Sequence, residues 1–470
     1  MTPETRLEHD LLGERAVPAG AYWGIHTLRA LENFPITGKS IGSYSELVRA
    51  LALVKQAAAL TNLELETLDR RRAEAIVAAC RRIAAGELHR EFVVDVIQGG
   101  AGTSTNMNAN EVIANAALES LGLPKGEYRE VHPIEHVNLS QSTNDVYPTA
   151  VRVAVCFAIE HLLGAMARLR QAFEAKAEEF RDVLKMGRTQ LQDAVPMTLG
   201  QEFSTYCVML GEDEQRLREA KCLMHEINLG ATAIGTGINT DPRYAPLAVA
   251  HLRELTGLPL TQSPNLVEAT QDTGAFVQLS GVLKRIAVKL SKTCNDLRLL
   301  SSGPQAGLCE ISLPPRAAGS SIMPGKVNPI IPEVVNQIAF EVIGNDVTVT
   351  LAAEAGQLQL NAFEPIICHS IFKSVTHLAA GCETLTRNCV TGIGANRALL
   401  AVRVNRSAGL ATALNPYIGY ENATRVAREA LLTGKSVAEL VLEWGLMDQA
   451  QLEDVLRPEI LTKPHKLRSH

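Results

Sequence analysis

The stretch GSSIMPGKVNP, residues 319–329, concentrates reactive groups in a short segment that does not resemble a buried core. It contains the adjacent hydroxyls of Ser320 and Ser321, the fixed cation of Lys326 and the amide of Asn328, set among glycines and prolines. The simplest interpretation is a helix cap with glycine and proline turn residues, but that leaves the lysine and asparagine without a purpose. The segment is therefore predicted to be a functional loop.

Three further segments combine glycines with hydroxyl and amide side chains. They are QGGAGTSTNMNAN at 98–110, SQSTNDVYPT at 140–149 and GRTQLQ at 187–192. The first two run directly into predicted helices, and free backbone N–H groups at a helix N-terminus favour an anionic ligand. Any one of them taken alone is an ordinary cap or hydrated turn. Four such segments in one chain favour a shared binding site.

The overall composition excludes several classes of protein. The 470 residues carry a formal charge of -6, which disfavours a nucleic-acid or anionic-membrane partner. No uninterrupted apolar run reaches the ~18 residues of a membrane span, and the charged N-terminus lacks a secretory signal. Nine scattered cysteines without a CxxC pair predict free, mostly buried thiols in a cytoplasmic protein.

The sequence gives no indication of a metal or an organic cofactor. His132 and His136 are spaced like ligands on one helical face, but no third ligand lies nearby, so no metal site is predicted. Nucleotide-binding glycine motifs are absent, as is the Ala-Ser-Gly triplet that some enzymes cyclise into an electrophile. We therefore expect no cofactor.

Long helices with an apolar stripe must position these loops. From Thr149 to Met186, apolar residues recur at alternating steps of four and three, which predicts one helix of ~55 Å at ~1.5 Å per residue. Five long helices are predicted, at 149–186, 196–230, 276–300, 332–360 and after Pro365. Helices of this length cannot bury their apolar surface inside one compact subunit, so we expect a bundle that associates into an oligomer.

The bundle divides the chain into three predicted domains. Residues 1–140 form an N-terminal, mostly helical domain, 141–395 the central five-helix bundle, and 396–470 a small C-terminal helical domain. The fold class is therefore mainly helical, or all-α.

The loop motifs resemble those of the fumarase and aspartase superfamily. GSSIMPGKVNP is similar to its signature, and the other three segments, together with LRLLSSGP and LEHDLLGERAVPAGAYWGIHTLRA, resemble its aspartase branch over nearly the whole chain. The resemblance implies a three-domain helical fold and a homotetramer. In that assembly, loops of three different subunits meet at each active site.

The resemblance also implies the reaction, the reversible deamination of L-aspartate to fumarate and ammonia. Removing the β-proton places a second negative charge on the β-carboxylate, giving an aci-carboxylate that needs many neutral donors. By resemblance Ser320 is the general base. The same resemblance implies substrate-binding roles for Thr103, Ser142, Thr143 and Ser321 at the aci-carboxylate, for Thr189, Lys326 and Asn328 at the α-carboxylate, and for Asn144 and Gln190 at the amino group.

Two alternatives remain open at this point. Class II-type fumarate hydratases usually carry a histidine at the position of Gln190, and an amide cannot shuttle the protons of hydration. A non-catalytic helical scaffold derived from a lyase is the second alternative. Gln305 and Cys309 depart from the usual aspartase pattern, which leaves activity level and fine substrate preference open.

Overall fold

The computed structural model describes residues 4–464, and this part of the chain forms two compact units. The first unit comprises 4–163, 215–287 and 340–379, and the second comprises 164–214, 288–339 and 380–464. Each unit is discontinuous in sequence and differs from the three consecutive predicted domains, which stay a prediction.

Helices dominate the described residues, as the apolar stripes predict. In chain order they are α1 Ile25–Asn33, α2 Ser45–Glu64, α3 Arg70–Ala84, α4 Thr103–Ser120, α5 Thr143–Glu179, α6 Leu199–Cys222, α7 Tyr244–Thr256, α8 Leu266–Ala269, α9 Gly274–Leu300, α10 Ile330–Glu354, α11 Glu364–Asn388, α12 Arg397–Arg406, α13 Leu410–Ile418, α14 Tyr420–Thr433, α15 Val437–Glu443, α16 Gln449–Val455 and α17 Pro458–Leu461. The mainly helical fold class is confirmed.

Within the described part of the chain, short strands form four two-stranded sheets. The strands are β1 Thr5–Asp10, β2 Gly13–Pro18, β3 Leu184–Thr189, β4 Gln192–Thr198, β5 Glu226–Ile227, β6 Thr261–Gln262, β7 Ile311–Ser312 and β8 Gly394–Ala395. Three pairs are antiparallel, β1 with β2, β3 with β4 and β7 with β8, whereas β5 and β6 are parallel. These strands were not predicted from the sequence.

The predicted apolar stripes are buried. On α5 the stripe residues have no exposed surface: Val155, Ile159, Leu162, Met166, Leu169 and Phe173. The stripe of α9, from Phe276 to Leu297, is buried as well. By length and composition α5 could cross a membrane, but 67% of its most apolar window is buried inside the protein. Helix α5 is therefore a core helix.

Several of the predicted helix boundaries are wrong, and the predicted ends at 230 and 360 move back to Cys222 and Glu354. Helix α5 begins at Thr143 rather than Thr149 and ends at Glu179, so Met186 lies in β3. Pro196 does not open a helix, because it lies in β4 directly opposite Met186, and α6 begins only at Leu199. A proline is tolerated in a two-stranded ribbon, where each strand has a free edge.

Polar contacts tie the long helices together within the first unit. Ser280 of α9 donates a hydrogen bond to Asp346 of α10 over 2.8 Å, and Asn345 of α10 donates to Ser374 of α11 over 3.0 Å. The first bond is buried and the second is partly buried, and together they fix the relative register of three helices.

Aromatic and amide contacts hold the helices together within the second unit. The ring of Phe173 on α5 lies 6.1 Å from that of Phe203 on α6, and Asn336 of α10 donates to Ser291 of α9 over 2.8 Å. The short helices α13–α16 of this unit share a small apolar core around Leu414, and the boxes at Ser436 and Asp448 cap α15 and α16.

All nine cysteines are free thiols, and six are buried: Cys80, Cys156, Cys294, Cys368, Cys382 and Cys389. The prediction of free, mostly buried thiols is confirmed.

Candidate active site

The predicted base, Ser320, lies in the loop between β7 and α10. Its Oγ accepts backbone N–H bonds from Ile322 and Met323, each 3.3 Å long. The loop closes on itself, because a Cβ on Gly319 would lie 2.4 Å from the carbonyl oxygen of Lys326, and Gly319 has a φ of +96°. Only glycine fits such a position. The loop therefore holds Ser320 with two N–H dipoles directed at its oxygen.

Three other predicted site residues belong to the same loop. Ser321, Lys326 and Asn328 are exposed in the single chain. Lys326 and Asn328 line a cleft of about 640 Å³ together with Cys309 and Arg298. Four predicted site residues therefore lie in one loop, and two of them line a cleft that can admit a small molecule.

Thr189 and Gln190 lie at the tip of the β3–β4 hairpin. Gln190 has a φ of +53°, so the backbone of the turn fixes the direction of its side chain. The side chains of Thr189 and Gln190 are both exposed. Glu310, almost fully buried, anchors the hairpin through Arg188 at 2.5 Å and Lys185 at 2.9 Å. Burial acts to raise the pKa of the Glu310 carboxyl, but the Arg188 hydrogen bond and the Lys185 charge lower it on balance. The ion pairs of Glu310 with Arg188 and Lys185 therefore hold the hairpin in place behind its exposed tip.

Ser142, Thr143 and Asn144 lie at the N-terminus of α5, where Asp145 holds their backbone in place. The Asp145 carboxylate accepts from the N–H groups of Ser142 at 3.0 Å and Thr232 at 2.9 Å. Burial raises the pKa of Asp145 to about 6, against the opposing effect of these N–H bonds. The loop is therefore fixed from below by a buried carboxylate.

The side chain of Asn144 has one end committed to the protein. Its Nδ2 donates to the carbonyl of Ala233 over 2.7 Å, and its backbone oxygen accepts from Asn228 over 3.0 Å. Thr232 and Ala233 both have positive φ, so the loop that meets Asn144 is strained. With its amide nitrogen bonded, Asn144 has its oxygen available to accept from a ligand amine.

Thr103 is the first residue of α4, and its Oγ1 donates to the carbonyl of Gly100 over 2.7 Å. The preceding Gly102 has a φ of +89°, and a Cβ there would lie 2.4 Å from the Tyr147 ring. The start of α4 therefore packs directly on α5, which carries Ser142–Asn144 at its own start. Both helix N-termini offer N–H dipoles to an anion.

Several residues that build this site were not predicted. Asp145, Asn228 and the Arg188–Glu310 pair each hold a predicted site residue or its loop in place. The only sequence signal for Asp145 was its position three residues after Ser142, the spacing of a capping box. The other partners come from distant segments and left no local pattern.

His132 and His136 have a structural role. The Nδ1 atom of His132 accepts from the backbone of Ile134 and Glu135, and that of His136 accepts from the backbone of His132. Each imidazole therefore caps the short helical turn between them. Within residues 4–464 no group of three His, Cys, Asp or Glu side chains is arranged to hold a metal ion.

Comparisons with known proteins cover nearly the whole chain. Residues 13–344 match a family model described as Lyase, and residues 410–463 match one described as Fumarase C C-terminus. An aspartate ammonia-lyase from Pseudomonas fluorescens is 60% identical over 460 residues, covering 98% of this chain and 96% of that protein. An aspartate ammonia-lyase from Escherichia coli strain K12 is 54% identical, covering 99% of this chain and 97% of that protein.

Solved structures agree with this. A structure described as fumarate lyase:delta crystallin from Brucella melitensis bound to cobalt superposes with a TM-score of 0.96 at 55% identity, covering 98% of this chain and 100% of that one. Recombinant class II fumarase from Schistosoma mansoni superposes with a TM-score of 0.92 at 33% identity, with the same coverage.

Proposed function

This chain belongs to the fumarase and aspartase superfamily of lyases, and we propose that it catalyses the reversible deamination of L-aspartate to fumarate and ammonia. The assignment of L-aspartate as the substrate rests on one observation. Relatives that are 54% and 60% identical over nearly the full chain are aspartate ammonia-lyases, whereas the class II fumarase is 33% identical. The enzyme is a carbon–nitrogen lyase.

We propose Ser320 as the general base of this reaction. A serine hydroxyl is too weak an acid to ionise unaided at neutral pH, so its alkoxide needs donors. The N–H groups of Ile322 and Met323, each 3.3 Å from Oγ, are such donors and support the assignment. Closure of the glycine-hinged loop over substrate would exclude water and strengthen both bonds.

The proposed reaction proceeds by elimination. Ser320 takes the β-proton, and the electron pair of the broken C–H bond moves into the β-carboxylate to give the aci-carboxylate. That pair then forms the carbon–carbon double bond of fumarate as the Cα–N bond breaks and ammonia leaves. Each hydrogen-bond donor that contacts the developing charge typically contributes ~3 kcal/mol at the transition state.

The remaining residues bind the two ends of the substrate. We assign Thr103, Ser142, Thr143 and Ser321 to the aci-carboxylate, Lys326, Asn328 and Thr189 to the α-carboxylate, and Asn144 and Gln190 to the amino group. In this assignment the Thr103 hydroxyl exchanges its bond to the Gly100 carbonyl for one to the substrate. The cation of Lys326 suits a carboxylate whose charge does not change during the reaction. The free amide oxygen of Asn144 suits an ammonium donor, which supports its assignment.

We also propose a cytoplasmic homotetramer whose active sites are shared between subunits, with no nucleic-acid, membrane or cofactor partner. An apolar stripe on α10 supports the association. Phe340, Val347 and Leu351 follow one helical face and are 61%, 56% and 63% exposed in the single chain. Such a face is typical of an interface between subunits. Light scattering should give the mass of four chains, and an active monomer would contradict both the assembly and the shared site.

The test of the function is the stoichiometry of the products. Purified protein with L-aspartate should release ammonia and fumarate in equal amounts. L-malate should release no fumarate at a useful rate. Comparable turnover of malate would support a fumarate hydratase, and no turnover of either substrate would support a non-catalytic scaffold.

A further inference from the structure

A fully buried lysine lies near the N-terminus of α5. None of the roles assigned to the site residues accounts for its presence there. Lys55 is in the middle of α2 and has no exposed surface. Its Nζ donates to Asn138 Oδ1 over 2.8 Å and to Gln141 Oε1 over 2.9 Å. Both acceptors are neutral amides, so this amine lies in the protein interior with no carboxylate of residues 4–464 bonded directly to it.

The hydrogen bonds of Lys55 continue to a proposed substrate-binding hydroxyl. Asn138 Oδ1 also accepts from the Nδ2 atoms of Asn106 and Asn110, each over 3.1 Å. The Nδ2 of Asn106 donates its other hydrogen to Thr143 Oγ1 over 3.0 Å. An unbroken chain of three hydrogen bonds therefore connects Lys55 to Thr143.

The chain has a fixed direction. The Nδ2 of Asn138 donates to the Gln141 carbonyl over 3.2 Å, which leaves the Asn138 oxygen facing the Lys55 amine that donates to it. Asn106 must then present its NH₂ group to Asn138, and the same NH₂ group reaches Thr143. Since the Thr143 oxygen already accepts from Asn106, its own hydrogen is free to point towards a ligand.

We propose that Lys55 is a positioning residue that orients the Thr143 hydroxyl as a donor to the substrate carboxylate, acting through Asn138 and Asn106. The inference rests on the proposed function, because it presumes that Thr143 contacts the substrate.

Burial and unpaired atoms support a functional reason for this arrangement. The amide oxygens of Asn106 and Asn110 are buried and have no hydrogen-bond partner among residues 4–464. Unpaired buried acceptors and a buried amine both destabilise a fold. Burial lowers the pKa of Lys55 to about 7, and the charge of Asp145 acts against this shift. A methionine would fill the same space without the desolvation penalty, so the lysine is retained against stability.

The test is a double-mutant cycle between Lys55 and Thr143. Lys55→Met should lower kcat by about tenfold or more, the order expected when one transition-state donor is misdirected, without lowering the melting temperature. In a Thr143→Val background, which has no hydroxyl to orient, the same change should lower kcat by less than about threefold. Lys176→Met is the matched control, because Lys176 is also a buried lysine but bonds to Glu179 and the Ile393 carbonyl.

A second variant covers the case in which Lys55→Met does not fold. Asn106→Asp keeps the shape of the side chain but has no donor, so it loses the bond to Asn138 and accepts from Thr143 instead of donating to it. It should lower kcat by about tenfold or more in the natural background and by less than about threefold beside Thr143→Val.

Two outcomes would overturn the proposal. The first is equal fold losses for Lys55→Met, or for Asn106→Asp, with and without the Thr143 hydroxyl. The second is natural-level kcat for either variant. Failure of the unmodified protein to deaminate aspartate would instead refute the proposed function, so the two failures are distinguishable.

Discussion

Replacing the hydroxyl of Ser320 should separate catalysis from binding and from stability. Ser320→Ala removes the proposed proton acceptor and leaves both carboxylate pockets whole. A positioned general base typically contributes ~10²- to 10⁴-fold. At ~1.4 kcal/mol per factor of ten, this corresponds to ~3–5 kcal/mol at the transition state.

The same change should hardly affect stability. Among residues 4–464, Ser320 Oγ accepts only the two 3.3 Å bonds from Ile322 and Met323, residues that are 82% and 46% exposed. Their N–H groups can bond to water once the hydroxyl is gone, so the free energy of unfolding should change by less than ~0.5 kcal/mol.

The assay combines steady-state kinetics with calorimetric binding of succinate, which has both carboxylates and no leaving group. Turnover by Ser320→Ala should collapse while the succinate dissociation constant stays close to that of the natural protein. Ser204→Ala, in an exposed serine of α6, is the control for a lost hydroxyl. If Ser320→Ala keeps more than about a tenth of the natural turnover, an effect of only ~1.4 kcal/mol, another residue is the base.

Three further predictions follow from the same site and its surroundings. Lys326→Ala removes a charge-assisted contact worth ~1.5–3 kcal/mol in ground and transition states alike, so succinate affinity and kcat/KM should fall together by ~10-fold or more while kcat stays close to that of the natural protein; unchanged affinity would contradict its role. Gln190→His supplies a proton-handling group, so malate dehydration should become measurable in the variant, and its absence would show that the amide does not set the preference. Burial raises the pKa of Glu364 to about 8, from a usual 4.5, with the Arg152 charge opposing. The unfolded chain then releases this proton first, so stability should fall between about pH 4.5 and 8, and the melting temperature of Glu364→Gln relative to the natural protein should rise over that interval; a constant difference would contradict the shift.

The sequence predicted the long helices because burial imposes a repeating pattern that one chain segment carries by itself. The stripe from Val155 to Phe173 is an example, since every member is buried. Pro196 was assigned wrongly because a proline suits both a first helical turn and a two-stranded ribbon, and the strand partner that decides between them, Met186, is set by the hairpin turn at Gln190.

The candidate site was predicted through its loops but not through its supports. The resemblance to the superfamily identified the candidate residues of the loops, such as Ser320. The bonds that hold the site depend on pairs far apart in the chain, such as Asp145 with Thr232 and Lys55 with Asn138, and no local spacing encodes such pairs. Buried polar partners are visible only once the helices are packed.

The central claim is the reversible conversion of aspartate to fumarate and ammonia, and one spectrophotometric measurement tests it most directly. Fumarate absorbance should rise when the protein is mixed with L-aspartate and fall when it is mixed with fumarate plus ammonium. Both mixtures should reach the same equilibrium quotient, which is the fumarate concentration times the ammonium concentration divided by the aspartate concentration. No change in either mixture, with a change only when L-malate is supplied, would contradict the account.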